Sequence, residues 1–342
     1  MGQRDDGDER NYLLLEFVRL VVEVRPRALL LENVPGLLEP RFQEFRETAF
    51  SRLCRAGYAL SGTDHWLNAG EFGVPQSRKR VIITGVLDGP AAQVPLGQPA
   101  VPLTVRDALD GLPEVERYEQ LLAGDCVALT AADRRLRRRT RSSYARQMAG
   151  LELAKDLSRP RIWDTGRLTN SLRTVHATET MRRFERTIPG SVEPTSRLYR
   201  LPLDAPARTL RAGTGRERGA YTSPRPIHPL LPRVITVREA ARLHGYPDWF
   251  RLAATNWHGH RQVGNSVPPP LARVVGAVLL KALGARPGLL RKALTLGEEW
   301  WLSARPSEAG KLLAAVKAEL PPQRSRPITQ PAITDSSLIP GR

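Results

Sequence analysis

Cysteine is nearly absent. The 342 residues include two, Cys54 and Cys126, too far apart and too few for a disulfide framework and without the CxxC spacing of a zinc site. Acidic residues are also short: 35 Asp and Glu stand against 52 Lys and Arg, for a net charge of +17 and a pI near 10.8. That balance disfavours an acidic surface steering cations and favours a polyanionic partner, with nucleic acid first. Arginine supplies most of the excess, and its fork suits phosphates and guanine; an arginine-rich, GC-rich genome is the blander source of the same bias. No apolar segment follows a basic N-terminus and no apolar run has bilayer length, so neither a signal peptide nor a membrane partner is expected. A cytoplasmic protein is the expectation.

What is present begins with helical periodicity. Leu13, Leu14, Phe17, Leu20, Val21 and Val24 recur at helix spacing and Pro26 ends the pattern. "ALLL" (28–31) follows, an apolar run without alternation, as expected of a strand buried on both faces of a parallel sheet. Pro35 and Gly36 break it. Phe42, Phe45, Ala49 and Leu53 predict a second helix, with Gly57 where a C-cap belongs and Cys54 on its apolar side as a buried thiol. "YALSGTDHWLN" (58–68) and "RVIITGV" (80–86) predict two further strands. After Val86 the chain turns rich in Pro, Gly, Thr and Arg, with a basic run "RRLRRRTR" (134–141) that is either a phosphate-contacting stretch or a solvated helix face. Regular periodicity returns at "TVREAARLHGYPDWF" and after "GNSVPPP", and the chain ends in a Pro- and Ser-rich tail expected to be disordered. The class is α/β, with about half of a doubly wound sheet. The expected divisions are 1–87, 88–233, 234–284 and 285–342.

In an open sheet ligands bind beyond the carboxyl ends of strands, and Glu32 sits at such an end. Position alone leaves a functional carboxylate and a structural one equally open. Poor solvation among leucines would favour its protonated form, suited to donating a proton.

Four segments carry a family resemblance. "LLLENVPGLL" resembles the Glu-Asn-Val motif of cytosine-5 DNA methyltransferases, and "NAGEFGVPQSRKR" resembles that family's Gly-Val-Pro-Gln-x-Arg-x-Arg segment. "ITVREAARLHGYPDWF" and "RQVGNSVPPPLARVVG" are similar to its last two motifs, in the family's order and over about residues 2–283. His244 stands where the family more often has Gln. The resemblance implies a partial Rossmann-like, S-adenosylmethionine-dependent sheet with a smaller, irregular, mostly β target-recognition region at 88–233. It implies a carboxyl donor to cytosine N3 at Glu32 and, at Arg78 and Arg80, a pair that binds the pyrimidine O2 and orders the site. Taken alone, "QSRKR" would be an exposed basic turn before a strand. Asn265, Ser266 and Val267 match positions bordering the cofactor, before prolines that also suit a helix's first turn. Gln76, Thr209, Arg211 and Arg216 are the DNA-contact candidates, with the target base flipped from the duplex.

The family's glycine-containing cofactor motif and its Pro-Cys nucleophile have no counterpart here: Leu53 precedes Cys54 and Asp125 precedes Cys126. Three readings stay open. The chain is a C-terminal piece of a methyltransferase, one subunit of a split enzyme whose partner carries the Pro-Cys pair, or a DNA-binding module without chemistry.

Overall fold

Leu14, Val18 and Val21 lie a turn apart on α1 (Tyr12–Val24), and together they make the stripe that α1 buries. The computed structural model describes residues 12–97, 101–152, 160–213, 225–286, 292–302 and 306–319. β1 (Ala28–Asn33) follows, then α2 (Gln43–Arg55), whose last carbonyls are closed off at Ala56. Gly57 comes next at φ +96°, the left-handed step that lets the chain leave the helix for β2 (Tyr58–Ser61). The stretch 58–68 is not one strand: it breaks after Ser61 and resumes as β3 (Leu67–Asn68). β4 (Gln76–Ser77) and the nine-residue β5 (Lys79–Leu87) complete this part.

β5 is the central strand. β1 pairs with it antiparallel from Ala28↔Val86 to Asn33↔Val81, and β2 and β3 pair antiparallel along its other edge. β1 and β2 are therefore parallel to each other through α2, and β5 runs back between them. This corrects the expected purely parallel ladder around "ALLL": a run of leucines has no direction, and the chain returns through 69–78 to insert β5. It also corrects the expected burial of β1 on both faces. β1 has no partner on its outer edge among the described residues, and Leu30 is 40% exposed while Leu29 is 5% exposed.

Alternation along β5 builds two layers. Val81 and Ile83 face α1 and α2, in a core with Leu14, Val18, Ala49, Leu53 and Tyr58. Ile82 faces the other way, against Leu67, Val74, Leu271 and Val275. Each such aliphatic side chain contributes roughly 1.5–3 kcal/mol by leaving water.

Beyond residue 88 the chain forms α3 (Val105–Leu109), β6 (Val127–Ala128), α4 (Ala131–Arg138), α5 (Ser143–Met148), β7 (Arg161–Ile162), β8 (Arg167–Leu168), α6 (Thr178–Arg186) and β9 (Ala207–Arg208). The irregularity is as expected, but the regular structure is more helix than strand, each strand being two residues long. α7 (Val237–Leu243) and α8 (Asn256–Asn265) share a core with α3 and α5. α9 (Pro269–Ala282) is the element that returns to the sheet. β10 (Leu294–Thr295) pairs with β7.

α7 is buried along its whole length, its charges included. Asp248 accepts from Nε and Nη2 of Arg242 at 2.9 and 2.7 Å and from Arg137 at 2.8 Å. So the basic run of α4 is divided: Arg137 is an internal ion-pair partner, and Arg135, Arg138 and Arg139 are exposed. Residues 298–342 form a separate compact unit containing α10 (Pro306–Glu319); the expected disordered tail lies outside the described residues. Asn256–Ala282 has the length and hydropathy of one membrane span, which periodicity in the sequence does not single out. It is two helices, parted by Ser266–Pro268, of which Val263, Leu271 and Val275 line the cores above.

Candidate active site

The register of β5 brings the first two functional candidates together. Glu32 sits opposite Ile82, and Arg80, two residues along, is on the same face. Arg80 Nε meets Glu32 Oε1 at 2.6 Å, with side chains 12% and 26% exposed. The carboxylate therefore touches a guanidinium, where the sequence suggests a leucine-walled group. The pair stands at the end of β1, open on one side.

Arg78 points into the interior and is 1% exposed. Its guanidinium donates to three backbone carbonyls: Leu210 O at 3.0 Å, Gly264 O at 2.8 Å and Ser266 O at 3.0 Å. Burial, and then the neighbouring Arg80, pulls its pKa down to about 10, so it stays charged at neutral pH. Arg78 thus ties segments together in the interior, and Arg80 alone of the two reaches the rim.

Gln76, a DNA-contact candidate by sequence, is fully buried. Its Oε1 accepts from Leu210 N–H at 3.1 Å, and its Nε2 donates to Leu243 O at 3.2 Å and lies 3.0 Å from His244 Nδ1. β4 and β9 lie side by side here, which is why Gln76 faces the interior. Thr209 donates its hydroxyl to Ser77 O at 2.8 Å and remains half-buried. Arg211 is exposed, and Arg216 lies outside the described residues.

His244 has little weight in the sequence, yet it is central. The ring is fully buried, stacked on Tyr246 with centroids 5.8 Å apart, and its Nε2 reaches Ser266 O at 3.1 Å. Burial, and then Arg78, pushes its pKa down to about 3, so the ring is neutral. The signal available in the sequence is its departure from the family's usual Gln.

Asn265, Ser266 and Val267 form the junction from α8 to α9. Ser266 is occupied: its hydroxyl donates to Val263 O at 2.9 Å. Asn265 is exposed and Val267 packs on the α9 side of the sheet. An open amide beside an apolar wall fits one side of a nucleoside-type cofactor. The two thiols are elsewhere. Cys54 is exposed, a correction of the buried thiol expected on α2, because Leu53 takes the inward position. Cys126 is half-buried in the insert near Arg167 and Arg251, and burial pushes its thiol up.

Comparison with known proteins adds three findings. The family model for C-5 cytosine-specific DNA methylase matches residues 1–281. The chain is 40% identical over 97% of its length to the Type II methyltransferase M.XorII of Xanthomonas oryzae pv. oryzae, covering 76% of that protein. It is also similar to a crystal structure of a DNA modification methyltransferase encoded within an E. coli prophage, with a TM-score of 0.64 and 30% identity, covering 81% of this chain and 75% of that one.

Proposed function

The chain belongs to the C-5 cytosine-specific DNA methylase family, and from that premise we propose that Glu32 and Arg80 form the base-activating part of a restriction-modification cytosine methyltransferase. The observation that carries the proposal is the Arg80–Glu32 ion pair at the end of β1, standing on a buried Arg78. Cytosine C5 is a poor nucleophile until a thiolate adds to C6. Glu32, protonated once the base displaces its ion pair, would donate to N3 as the C6–S bond forms and the C4=N3 pair moves onto N3. This leaves a C4=C5 enamine whose C5 can take the methyl, and loss of the C5 proton would then expel the thiolate. Arg80 would hold the pyrimidine O2 where charge gathers. The target cytosine, extruded from the duplex, would take over part of Arg80's present contact with Glu32. S-adenosylmethionine, when bound, supplies an electrophilic methyl group for C5. Asn265 and Val267 would line its site, and Thr209 and Arg211 would reach the DNA.

The thiolate and the rest of the cofactor site would come from a further segment, either of the same polypeptide or of a separate subunit. Two features support this. Neither cysteine follows a proline, and the outer edge of β1 is unpaired among the described residues beside exposed Leu30 and Val34. A bacterial setting, in line with M.XorII of Xanthomonas oryzae, and a cytoplasmic one are part of the same reading.

Labelled-methyl transfer to duplex DNA tests it, with the chain co-expressed alongside a family N-terminal segment ending just past its Pro-Cys pair. Glu32→Gln keeps shape but cannot donate an acidic proton, and turnover should fall by about 10²–10⁴ with DNA binding intact. Wild-type turnover in that variant would remove Glu32 from the chemistry. The second reading, a non-catalytic DNA-binding module, is favoured by the surroundings of the two thiols, Cys54 exposed on α2 and Cys126 beside Arg167 and Arg251 in the insert. It expects salt-sensitive DNA binding and no transfer under any complementation.

A further inference from the structure

Leu210 and Ser266 are far apart in the chain and each is gripped twice by the same three side chains. Leu210 N–H donates to Gln76 Oε1, and Leu210 C=O accepts from Arg78. Ser266 C=O accepts from Arg78 and meets His244 Nε2. Gln76 and His244 close the circuit at 3.0 Å.

Hydrogen counting sets the direction of each bond. Gln76 Oε1 already accepts from a backbone N–H, so the group facing His244 is its NH₂, a donor. His244 Nδ1 must then accept, and its proton sits on Nε2, directed at Ser266 C=O. One unbroken line results: Leu210 N–H to Gln76, Gln76 to His244, His244 to Ser266. The backbones it joins also touch. A Cβ at Gly264 would stand 2.4 Å from Ala212 N, so only glycine lets α8 approach the 210–212 loop this closely.

We propose that Gln76 and His244 are positioning residues that lock the loop carrying Thr209 and Arg211 to the loop carrying Asn265 and Val267, so that DNA engaged at one loop sets the geometry of the cofactor wall at the other. This rests on the reading of those loops given above. The two residues touch neither base nor cofactor; they act through Leu210 and Ser266. Gln at position 244 could make the same two bonds, its amide oxygen accepting from Gln76 and its nitrogen donating to Ser266. Leu could make neither, and would leave buried partners unpaired.

Amide hydrogen exchange on the full chain reads the link directly. In His244→Leu, protection of the Leu210 amide, which His244 does not contact, should fall about tenfold, the factor carried by a bond of ordinary net strength. Protection at Ile83 in β5 should hold, and His244→Gln should match the wild type at both. In a preparation that transfers methyl, His244→Leu should lower kcat by roughly 10²-fold with little change in KM for DNA, and Gln should restore it. Unchanged Leu210 protection in His244→Leu would overturn the link, as would a Gln variant that behaves like Leu. Should the Leu variant unfold, ¹⁵N spectra of the wild-type ring decide: a proton on Nε2 is expected, and a proton on Nδ1 would break the line and end the proposal. Absence of methyl transfer in every preparation counts against the proposed function and leaves the exchange result standing.

Discussion

Arg78 and Arg80 are two residues apart on one run of chain, and their surroundings give them different work. Arg80 is at a rim with a carboxylate, and Arg78 is sealed under it among carbonyls. Burial of titratable groups continues around them and has a measurable consequence. His244 and His260 are both pushed down to about 3, mainly by burial. An unfolded histidine titrates near 6.5. The stability these neutral rings contribute is complete above pH ~6.5 and drains as pH falls toward their folded values, by about 1.4 kcal/mol per pH unit for each ring. Glu239 and Asp248, held at about 2 against the desolvating effect of burial by Arg233 and by Arg242 respectively, add their own loss only below about pH 4. Urea unfolding of His244→Gln between pH 6 and 4 should therefore show a slope shallower by about 1.4 kcal/mol per unit than the wild type. Parallel curves would mean that the folded ring takes up its proton in that window.

α1 shows what an element can present on two sides. Leu14, Val18 and Val21 face α2 and the sheet, and Leu13, Leu20 and Val24 form a second stripe that is 63%, 45% and 70% exposed, with Phe17 half-buried in the same row. β1 adds an edge with no partner among the described residues. A helix apolar on two sides is built for two neighbours, and a lone chain with this face and edge uncovered is prone to associate. Replacing Leu13 and Leu20 together by Lys should reduce self-association in sedimentation and leave the unfolding free energy within about 0.5 kcal/mol per site, as exposed positions do. The same pair should abolish complementation by an N-terminal segment. A cost of several kcal/mol would instead show that this stripe is packed within the chain.

Across the whole molecule, net charge overstates the surface available to DNA. Arg78, Arg137, Arg200, Arg233, Arg238 and Arg242 are all buried, bound to carbonyls or carboxylates. The exposed arginines of α4 and Arg211 remain outside. Binding to duplex DNA should weaken steeply with salt, with a log–log slope of about −0.9 for each phosphate neutralised. Changing Arg135, Arg138 and Arg139 to Gln should make that slope shallower by about 0.9 for every phosphate these side chains neutralise, as read by fluorescence anisotropy across a salt series. Arg137→Gln should leave the slope alone and lower stability, since it strips a partner from buried Asp248. An unchanged slope after the triple substitution would return the run to a simple solvated face.

What could be read from the sequence was local. The helices around 12–24 and 43–55, the turn at Gly57, the strand over 80–86 and the candidacy of Glu32 and Arg80 follow from periodicity, turn residues and short motifs, each decided within a few residues of chain. Tertiary structure alone decided direction, side and partner. The letters of β1 are apolar whether its neighbour runs parallel or antiparallel, and whether Leu30 is covered or open. Gln76, just ahead of Arg78, Lys79 and Arg80, reads as a DNA-facing amide until β9 is laid beside it. His244 and Gln76 are 168 positions apart, and the bond that joins them exists only because α7, β4 and the α8–α9 junction converge in the fold.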